Sequence, residues 1–212
     1  MERARWWRKD PAPDESRWVM VDVEASGLDA TRDRLLAIAA VAIRVDWSGK
    51  RLAIDHGDSF EVVLRHEEPS PRENILLHGI GIQRQRAGVP VGQAMQSFAG
   101  YAGRSPLLAF HSAFDRTLVA RHARGVAGAA PAGPWLDIEP LCGAAYPEVP
   151  ARSLDEWMAR FGITCAYRHD AAADALAQSE LLLHIWPRVA AECRRWRDVE
   201  RFAARHRWLA RR

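Results

Sequence analysis

Acidic and histidine side chains occur in three short segments that lie far apart along the chain. Asp22-Val-Glu24 ends an apolar stretch, His111-Ser-Ala-Phe-Asp115 lies near the middle, and His169 shortly precedes Asp174. If the four carboxylates converge, they cannot all stay ionised at neutral pH without a cation, because like charges a few ångströms apart repel. Oxygen ligands without cysteine favour a hard ion such as Mg2+ or Mn2+ over zinc. The segments therefore predict a metal site beside a histidine base.

Each segment also has an ordinary structural explanation when it is taken alone. Asp22 and Glu24 lie two residues apart, so they share one face of an extended strand and could simply mark its solvent end. Asp115 suits the first turn of a helix because of the helix dipole. Asp174 lies among alanines on a predicted helix, where a buried carboxylate needs a partner. The combination of the three segments, rather than any one of them, indicates a functional site.

A mixed order of strands and helices must position these segments. Three neighbouring strands joined by short turns favour an antiparallel meander. Ser153 and Glu156 form a capping-box pattern at the start of one helix, and Pro187 is predicted to separate the last two. The predicted elements are strands at 17–24, 33–45 and 58–65, a helix at 90–101, a strand at 106–110, and helices at 114–124, 154–161, 170–186 and 188–212. This order predicts an α/β fold whose mixed sheet is flanked by helices.

Composition and charge set broad limits on the class of protein. The 212 residues, of which 48% are hydrophobic, suffice for one buried core. The net charge is +3, and nearly all of the positive charge is arginine, which suits phosphate contacts. The 3 cysteines lack metal-type spacing and indicate neither a disulfide framework nor a zinc site. Because the first residues are charged throughout and the longest apolar run is too short for a bilayer, we expect a cytoplasmic protein with no membrane association.

The three segments together resemble the motifs of the DEDDh 3′-5′ exonucleases of the DnaQ-like superfamily, which includes epsilon-type subunits of DNA polymerase III. Asp22-Val-Glu-Ala-Ser-Gly-Leu28 is similar to the first motif, D-x-E-T-T-G-L. His111-Ser-Ala-Phe-Asp115 is similar to the second, H-N-A-x-F-D, with one residue less, and His169-Asp-Ala-Ala-Ala-Asp-Ala175 to the third, H-x-A-L-x-D-A. The match spans residues 17–186 and includes Leu77-His-Gly-Ile80, which resembles an H-G-I element. The resemblance implies a ribonuclease H-like fold with a mixed sheet of about five strands.

The resemblance also implies a catalytic role for each acidic residue and for one histidine. Asp22, Glu24 and Asp174 would bind the metal ion that holds the attacking water. Asp22 would also bridge to a second ion, which Asp115 would help to position through waters. His169 would accept the proton from the water, and the products would be nucleoside 5′-monophosphates. The predicted cofactors are therefore two Mg2+ or Mn2+ ions.

The same resemblance places a further set of residues next to the 3′-terminal nucleotide. Leu28 is expected against the base, with His78 and Ile80 on its other side. Phe114 could contact the base, but packing in the core is favoured because most large apolar residues inside a protein pack there. His111 is interpreted as a group that steadies the second motif. The predicted substrate-binding residues are Ala25, Ser26, Gly27, Leu28, His78, Ile80, His111 and Phe114.

The sequence favours one substrate and leaves alternatives open. The extended hairpin at 44–65 and the H-G-I element resemble epsilon-type proofreading exonucleases, which favours 3′ ends of single-stranded DNA and makes a DNA polymerase subunit a candidate partner. An exoribonuclease of the same fold stays open, because discrimination rests on contacts to the 2′ position. A catalytically silent binding module is the alternative from another class, although the four acids and His169 are all retained.

Composition divides the chain into three predicted segments. These are an N-terminal arm at 1–16, an exonuclease domain at 17–187 and a basic helix at 188–212. The arm carries Trp6 and Trp7, which could dock on the helix or on a partner. Trp196 and Phe202 fall on the apolar face of the basic helix. Its arginines either bind phosphates of the nucleic acid or form the solvent face of a helix packed on the domain, and the sequence does not choose between the two.

Overall fold

The computed structural model describes residues 12–209, and its side chains are described to residue 205. Trp6 and Trp7 lie outside the described residues, as do the final arginines of the chain. The elements are β1 (Arg17–Ala25), β2 (Leu35–Asp46), β3 (Arg51–Val63), α1 (Arg72–His78), α2 (Ile82–Arg86), α3 (Val91–Ala102), β4 (Leu107–Ala109), α4 (Ala113–Ala123), β5 (Trp135–Asp137), α5 (Ile138–Ala145), α6 (Leu154–Phe161), α7 (Ala171–Glu192) and α8 (Trp196–Leu209).

The strands form one mixed sheet in the order β3-β2-β1-β4-β5. β1 pairs antiparallel with β2, and β2 pairs antiparallel with β3, which confirms the predicted meander. β4 runs parallel to β1, and β5 runs parallel to β4. The predicted α/β class with a five-stranded mixed sheet is therefore confirmed. β5 and α5 were not predicted, because Trp135–Asp137 spans only 3 residues and is too short to show a strand period.

The two central strands are apolar on both faces because helices cover the sheet on both sides. In β1, Trp18 and Met20 face the core beneath α5 to α8, whereas Val19 and Val21 face the core beneath α3 and α4. The apolar run at 35–43, which could also form a helix by periodicity alone, is a strand that is buried throughout. A central strand of a covered sheet has no solvent face, so it lacks the usual alternation of polar and apolar residues.

The long helix α7 continues through Pro187 to Glu192, so the predicted helix break at that proline is wrong. A proline inside a helix removes one backbone hydrogen bond and ordinarily costs about 3 kcal/mol. Here Trp186 and Val189, on either side of the proline, are buried in the core, and their packing holds the helix together. The basic helix consequently begins at Trp196, and the predicted boundary at 187 falls inside α7.

α8 packs on the domain through a cluster of tryptophans. The ring centroid of Trp196 lies 5.1 Å from that of Trp18 in β1, and the Trp186 ring of α7 lies 5.5 Å from Trp18. Glu15 accepts a hydrogen bond from the backbone N–H of Trp196 at 2.9 Å, which ties the start of α8 to the segment before β1. Phe202 is also buried in this core. Among the helices of residues 12–209, none has the length and apolarity to cross a membrane.

Candidate active site

The carboxyl ends of β1 and β4 lie side by side, because the two strands are parallel neighbours in the sheet. Asp22 and Glu24 project from β1 toward α7, on the same face as Met20. Asp115 lies in the first turn of α4, directly after β4, and Asp174 lies in the first turn of α7. The strand edge and two helix starts thus bring the three acidic segments of the sequence to one place.

The four carboxylates act on one another electrostatically. Burial raises the pKa of Asp22 well above its ordinary value, and the charges of Asp115, Asp174 and Glu24 raise it further. Burial and the charge of Asp174 likewise raise the pKa of Glu24 to about 8. The site therefore holds more acidic groups than can be ionised together at pH 7, and either protons or a cation must compensate them.

The pKa of Asp115 is also raised, but a different neighbouring charge contributes to the rise. Burial raises its pKa to about 7, and the charge of Asp137 adds to the rise, while the backbone N–H of Val23 opposes it. Asp137 ends β5 and caps α5, where its Oδ1 accepts hydrogen bonds from the backbone N–H groups of Glu139 at 3.1 Å and His111 at 3.0 Å. Asp137 is therefore a fifth acid close to the site. Sequence analysis missed it because the strand that carries it was not predicted.

Asp174 is held by three donors from the loop that precedes α7. The backbone N–H of His169 donates to Oδ2 at 3.0 Å, and the thiol of Cys165 donates to Oδ1 at 3.3 Å. The guanidinium of Arg168 pairs with the same carboxylate and also with Asp155 in α6, at 2.6 Å. Arg168 and Cys165 were not predicted from the sequence, although both lie within a few residues of the third motif.

The imidazole of His169 is exposed at the rim of the site. The backbone of this residue is left-handed, with φ of 65°, a conformation that costs a non-glycine residue roughly 1 kcal/mol. The same turn directs the His169 N–H to Asp174 and leads into Asp170, whose side chain caps α7 through the N–H of Ala173. A proton acceptor that must exchange with water needs such an exposed position beside the acids.

Gln178 is a further polar residue of the site that sequence analysis missed. It is buried on α7, where its Nε2 donates to Oδ1 of Asp22 at 2.6 Å. Its Oε1 accepts from the backbone N–H of Phe110 at 2.8 Å. Its position four residues after Asp174 could have indicated that it belongs to the site, because residues at that spacing share one face of a helix.

The first motif continues from β1 into a tight loop. A bulge between Glu24 and Ala25 ends the regular pairing with β2, and bulges of this kind often redirect side chains next to active sites. The Ser26 hydroxyl donates to Asp33 at 3.2 Å, and a Cβ at Gly27 would lie only 2.5 Å from the Asp33 carboxylate. Leu28, at the tip, is 94% exposed. Of the predicted substrate contacts in this loop, Leu28 therefore has the side chain that is most available.

The H-G-I element lies against the same site. His78 is buried, and its Nδ1 accepts from the backbone N–H of Ile80 at 3.0 Å. Burial lowers the pKa of His78, which favours the neutral ring that this hydrogen bond requires. Ile80 packs on Leu36 of β2. His78 and Ile80 line a shallow pocket together with Glu24, so the element adjoins the acidic cluster, and a substrate contact there stays a prediction.

The two remaining predicted contacts of the second motif have structural surroundings. Phe114 is half-buried and packs against the core between the sheet and α3 and α4, in agreement with the favoured core interpretation. His111 is exposed, with a left-handed backbone at φ of 57°, and its N–H binds Asp137. The His111 backbone thereby connects the start of α4, which carries Asp115, to the end of β5.

The donor set fits a hard divalent cation. It consists of carboxylates, and two of them, Glu24 and Asp115, have pKa values raised to about 8 and about 7, so that a cation can replace the protons they would otherwise hold. Across residues 12–209, no three aspartate, glutamate, histidine or cysteine side chains are already arranged as a coordination shell. Arg168 and Gln178 instead hold Asp174 and Asp22. A cation would therefore have to draw these carboxylates together.

Comparison with known sequences and structures gives one family and one fold. Residues 19–182 match the Exonuclease family model. The PolC-type DNA polymerase III of Halalkalibacterium halodurans is 26% identical over 168 residues, which are 79% of this chain and 11% of that protein. The corresponding polymerase of Bacillus subtilis is 26% identical over 80% of this chain and 11% of its own length. The chain thus spans only a small part of these curated relatives.

Solved structures of exonuclease I share the fold at low sequence identity. The E. coli enzyme in complex with a dA16 oligonucleotide superposes with a TM-score of 0.64 and 18% identity, over 84% of this chain and 42% of that one. Exonuclease I from Methylocaldum szegediense gives a TM-score of 0.62 and 17% identity, over 83% and 43%. At this level of identity the likeness establishes the ribonuclease H-like arrangement of sheet and helices.

Proposed function

Because this chain belongs to the Exonuclease family, whose model matches residues 19–182, we propose that it is a metal-dependent 3′-5′ exonuclease acting on single-stranded DNA. The observation that carries the proposal is the convergence of Asp22, Glu24, Asp115 and Asp174 at one sheet edge, beside the exposed His169. A purely structural role would gain nothing from this cluster, because buried acids that must be either protonated or mutually repelling at pH 7 destabilise a fold. The products would be nucleoside 5′-monophosphates.

The chemistry follows from what the side chains can do. Two divalent cations, Mg2+ or Mn2+, would when bound activate a water and neutralise the charge that develops on the phosphate and the leaving 3′ oxygen. Asp22, Glu24, Asp115 and Asp174 would hold them with hard oxygen donors. His169 would accept the proton of the attacking water, since imidazole is the side chain best suited to this task near pH 7.

The 3′-terminal nucleotide would bind at the rim formed by the first motif and the H-G-I element. Leu28 is exposed and can pack on the base, and His78 and Ile80 line the adjoining pocket with Glu24. Ala25, Ser26 and Gly27 would supply backbone contacts to the sugar. His111 and Phe114 would act indirectly, by holding the segment that carries Asp115.

DNA is the proposed polymer, a polymerase the proposed partner, and the cytoplasm the proposed location. The relatives are DNA polymerases, and one neighbour of the same fold was solved with a DNA oligonucleotide. An exoribonuclease of the same fold is the second candidate, because the four acids act on phosphates that both polymers share. The comparison of DNA and RNA substrates therefore belongs in the first experiment.

The test is digestion of DNA and RNA oligomers that carry a label at either end, with Mg2+, Mn2+ or EDTA. We expect the 3′ label to appear at once as a mononucleotide, the 5′ label to remain on progressively shorter strands, and EDTA to stop both. Asp174→Asn should lower the rate at least 100-fold. Asp55→Asn is the matched control, because Asp55 is also paired with an arginine, Arg44 at 3.0 Å, but lies on β3. Release from the 5′ end, or cleavage that persists in EDTA, would contradict the proposal.

A further inference from the structure

Gln178 connects three elements directly beneath the acidic cluster. Its Nε2 donates to Oδ1 of Asp22 at 2.6 Å, and its Oε1 accepts from the N–H of Phe110 at 2.8 Å. The residue is 1% exposed and belongs to α7, whereas Asp22 is in β1 and Phe110 follows β4. A single buried amide thus links the helix of the third motif to the strands of the first and second.

The orientation of this amide is determined by its partners. The backbone N–H of Phe110 can only donate, so the carbonyl oxygen of Gln178 must face it. The NH2 group must then face Asp22, and it donates to a carboxylate oxygen that accepts. This contact occupies Oδ1 of Asp22, so a cation that bound Asp22 would meet the other carboxylate oxygen.

Asp22 depends on this one contact more than Asp174 depends on any of its own. Asp174 has a backbone N–H, a thiol and the Arg168 guanidinium as donors. For the Asp22 carboxylate, Gln178 supplies the one side-chain hydrogen bond found among residues 12–205. Gln178 also lies one turn after Asp174 on the same face of α7. The helix therefore fixes one metal-binding carboxylate and, through Gln178, the rotation of another.

We propose that Gln178 is a positioning residue of the active site, whose amide occupies Oδ1 of Asp22 and so fixes which carboxylate oxygen is left for cations. The inference rests on the proposed function, because the rotation of Asp22 matters to catalysis only if Asp22 binds a cation. Gln178 itself touches neither the substrate nor the reacting atoms. Residues that orient metal ligands commonly change metal affinity or activity by about 10- to 100-fold when they are replaced.

Substitution of Gln178 tests this role with a measurement that does not depend on catalysis. Gln178→Met fills a similar volume but cannot donate to Asp22 or accept from Phe110. We expect its Mn2+ affinity, measured by calorimetry without DNA, to fall about 10- to 100-fold. kcat at a fixed Mn2+ concentration should fall with it and recover in part at higher Mn2+, while KM for the oligomer changes less than about 3-fold.

Two further variants separate positioning from folding. Gln178→Asn keeps a buried amide but is one methylene too short to reach both Asp22 and Phe110, so it should show the same loss of Mn2+ affinity. Gln96→Met is the matched control, because Gln96 donates to the carbonyl of Ala127 at 2.9 Å on the exposed side of α3. It should bind Mn2+ and cleave DNA as the wild type does. Thermal unfolding in EDTA shows whether each variant is folded.

The results distinguish this inference from the proposed function. If either folded Gln178 variant keeps Mn2+ affinity and kcat within about 2-fold of the wild type, the positioning role is wrong and the nuclease proposal stands. If the wild type binds Mn2+ but releases no nucleotide, the nuclease proposal fails. The Mn2+ affinities of the Gln178 variants, compared with that of the wild type, still test the contact between Gln178 and Asp22. A drop in stability with unchanged Mn2+ affinity would make Gln178 a structural residue only.

Discussion

At the scale of single residues, the buried acids of the candidate site make the stability of the protein without bound cations depend on pH. The pKa of Glu24 rises from 4.5 to about 8, and that of Asp115 from 3.8 to about 7. Between these limits the folded protein keeps protons that the unfolded chain has released, so the free energy of unfolding falls as the pH increases. An acid in a salt bridge has a lowered pKa, and it makes the free energy of unfolding change with pH in the opposite direction. A divalent cation bound by these carboxylates would replace the protons and remove the pH dependence.

We therefore expect the protein in EDTA to be less stable at pH 8.5 than at pH 5.5, by on the order of a few kcal/mol. Thermal or urea unfolding at the two pH values, with EDTA or with Mn2+, measures the difference. Mn2+ should restore stability mainly at pH 8.5. Glu24→Gln removes one of the titrating groups and should raise the stability in EDTA at pH 8.5, while Glu192→Gln, on the surface, should not. Equal stability at both pH values in EDTA would contradict the expectation.

The residues of the site could be predicted from the sequence only where a motif carried them. Asp22, Glu24, Asp115 and Asp174 stand in ordered motifs, and in the structure the charges of the other three acids help to raise the pKa of Asp22. Gln178, Asp137 and Arg168 have no such motif. They join the site because β4, β5 and the loop before α7 bring their partners to them, and pairings between distant elements leave no local trace in the sequence.

At the scale of elements, α7 connects the candidate site to the core. It carries Asp174 and Gln178 near its start and packs into the core toward its end. Its continuation past Pro187 shows why local signals misplaced the helix end. Proline ordinarily ends a helix, but Trp186 and Val189 are buried on either side of Pro187. The burial of two large side chains, each contributing about 1.5–3 kcal/mol, offsets one lost backbone hydrogen bond. The Ser153 capping box, by contrast, starts α6 where the sequence predicts.

Substitution of Pro187 should reveal what the missing backbone hydrogen bond costs α7. Pro187→Ala restores a backbone N–H that can bond to the carbonyl of Leu183, and the exposed ring contributes little packing. We expect a gain of about 1–2 kcal/mol, reduced by the greater freedom of the unfolded chain. The gain would appear as a rise in Tm of a few degrees without a change in nuclease activity. Pro90→Ala is the control, because Pro90 precedes α3, where proline costs no helical hydrogen bond. A lower Tm for Pro187→Ala would show that the ring is needed.

At the scale of the whole molecule, the length of β1 separates the site from the tryptophan cluster, because both lie on the same face of the sheet but at opposite ends of this strand. Trp18 lies near the start of β1 and Glu24 near its end, which at about 3.3 Å per residue places them roughly 20 Å apart. The start of α8 contacts Trp18, so its first arginines lie at the end of the fold away from the acids. This position favours the interpretation of that part of α8 as a helix packed on the domain, with a charged outer face, over a surface that holds the 3′ end.

The same arrangement predicts where the folding unit ends. The segment after residue 187 contributes five side chains larger than alanine to the core, each at most 4% exposed, namely Val189, Cys193, Trp196, Val199 and Phe202. At about 1.5–3 kcal/mol for each large apolar side chain, their loss is comparable to the whole stability of a typical domain. A chain that ends at residue 187 should therefore lack a cooperative unfolding transition in circular dichroism and show no nuclease activity. A chain that ends at residue 209 retains all five and should unfold as the full chain does. A cooperative transition in the shorter chain would show that residues 17–187 fold alone, and that α8 is an addition to the exonuclease domain.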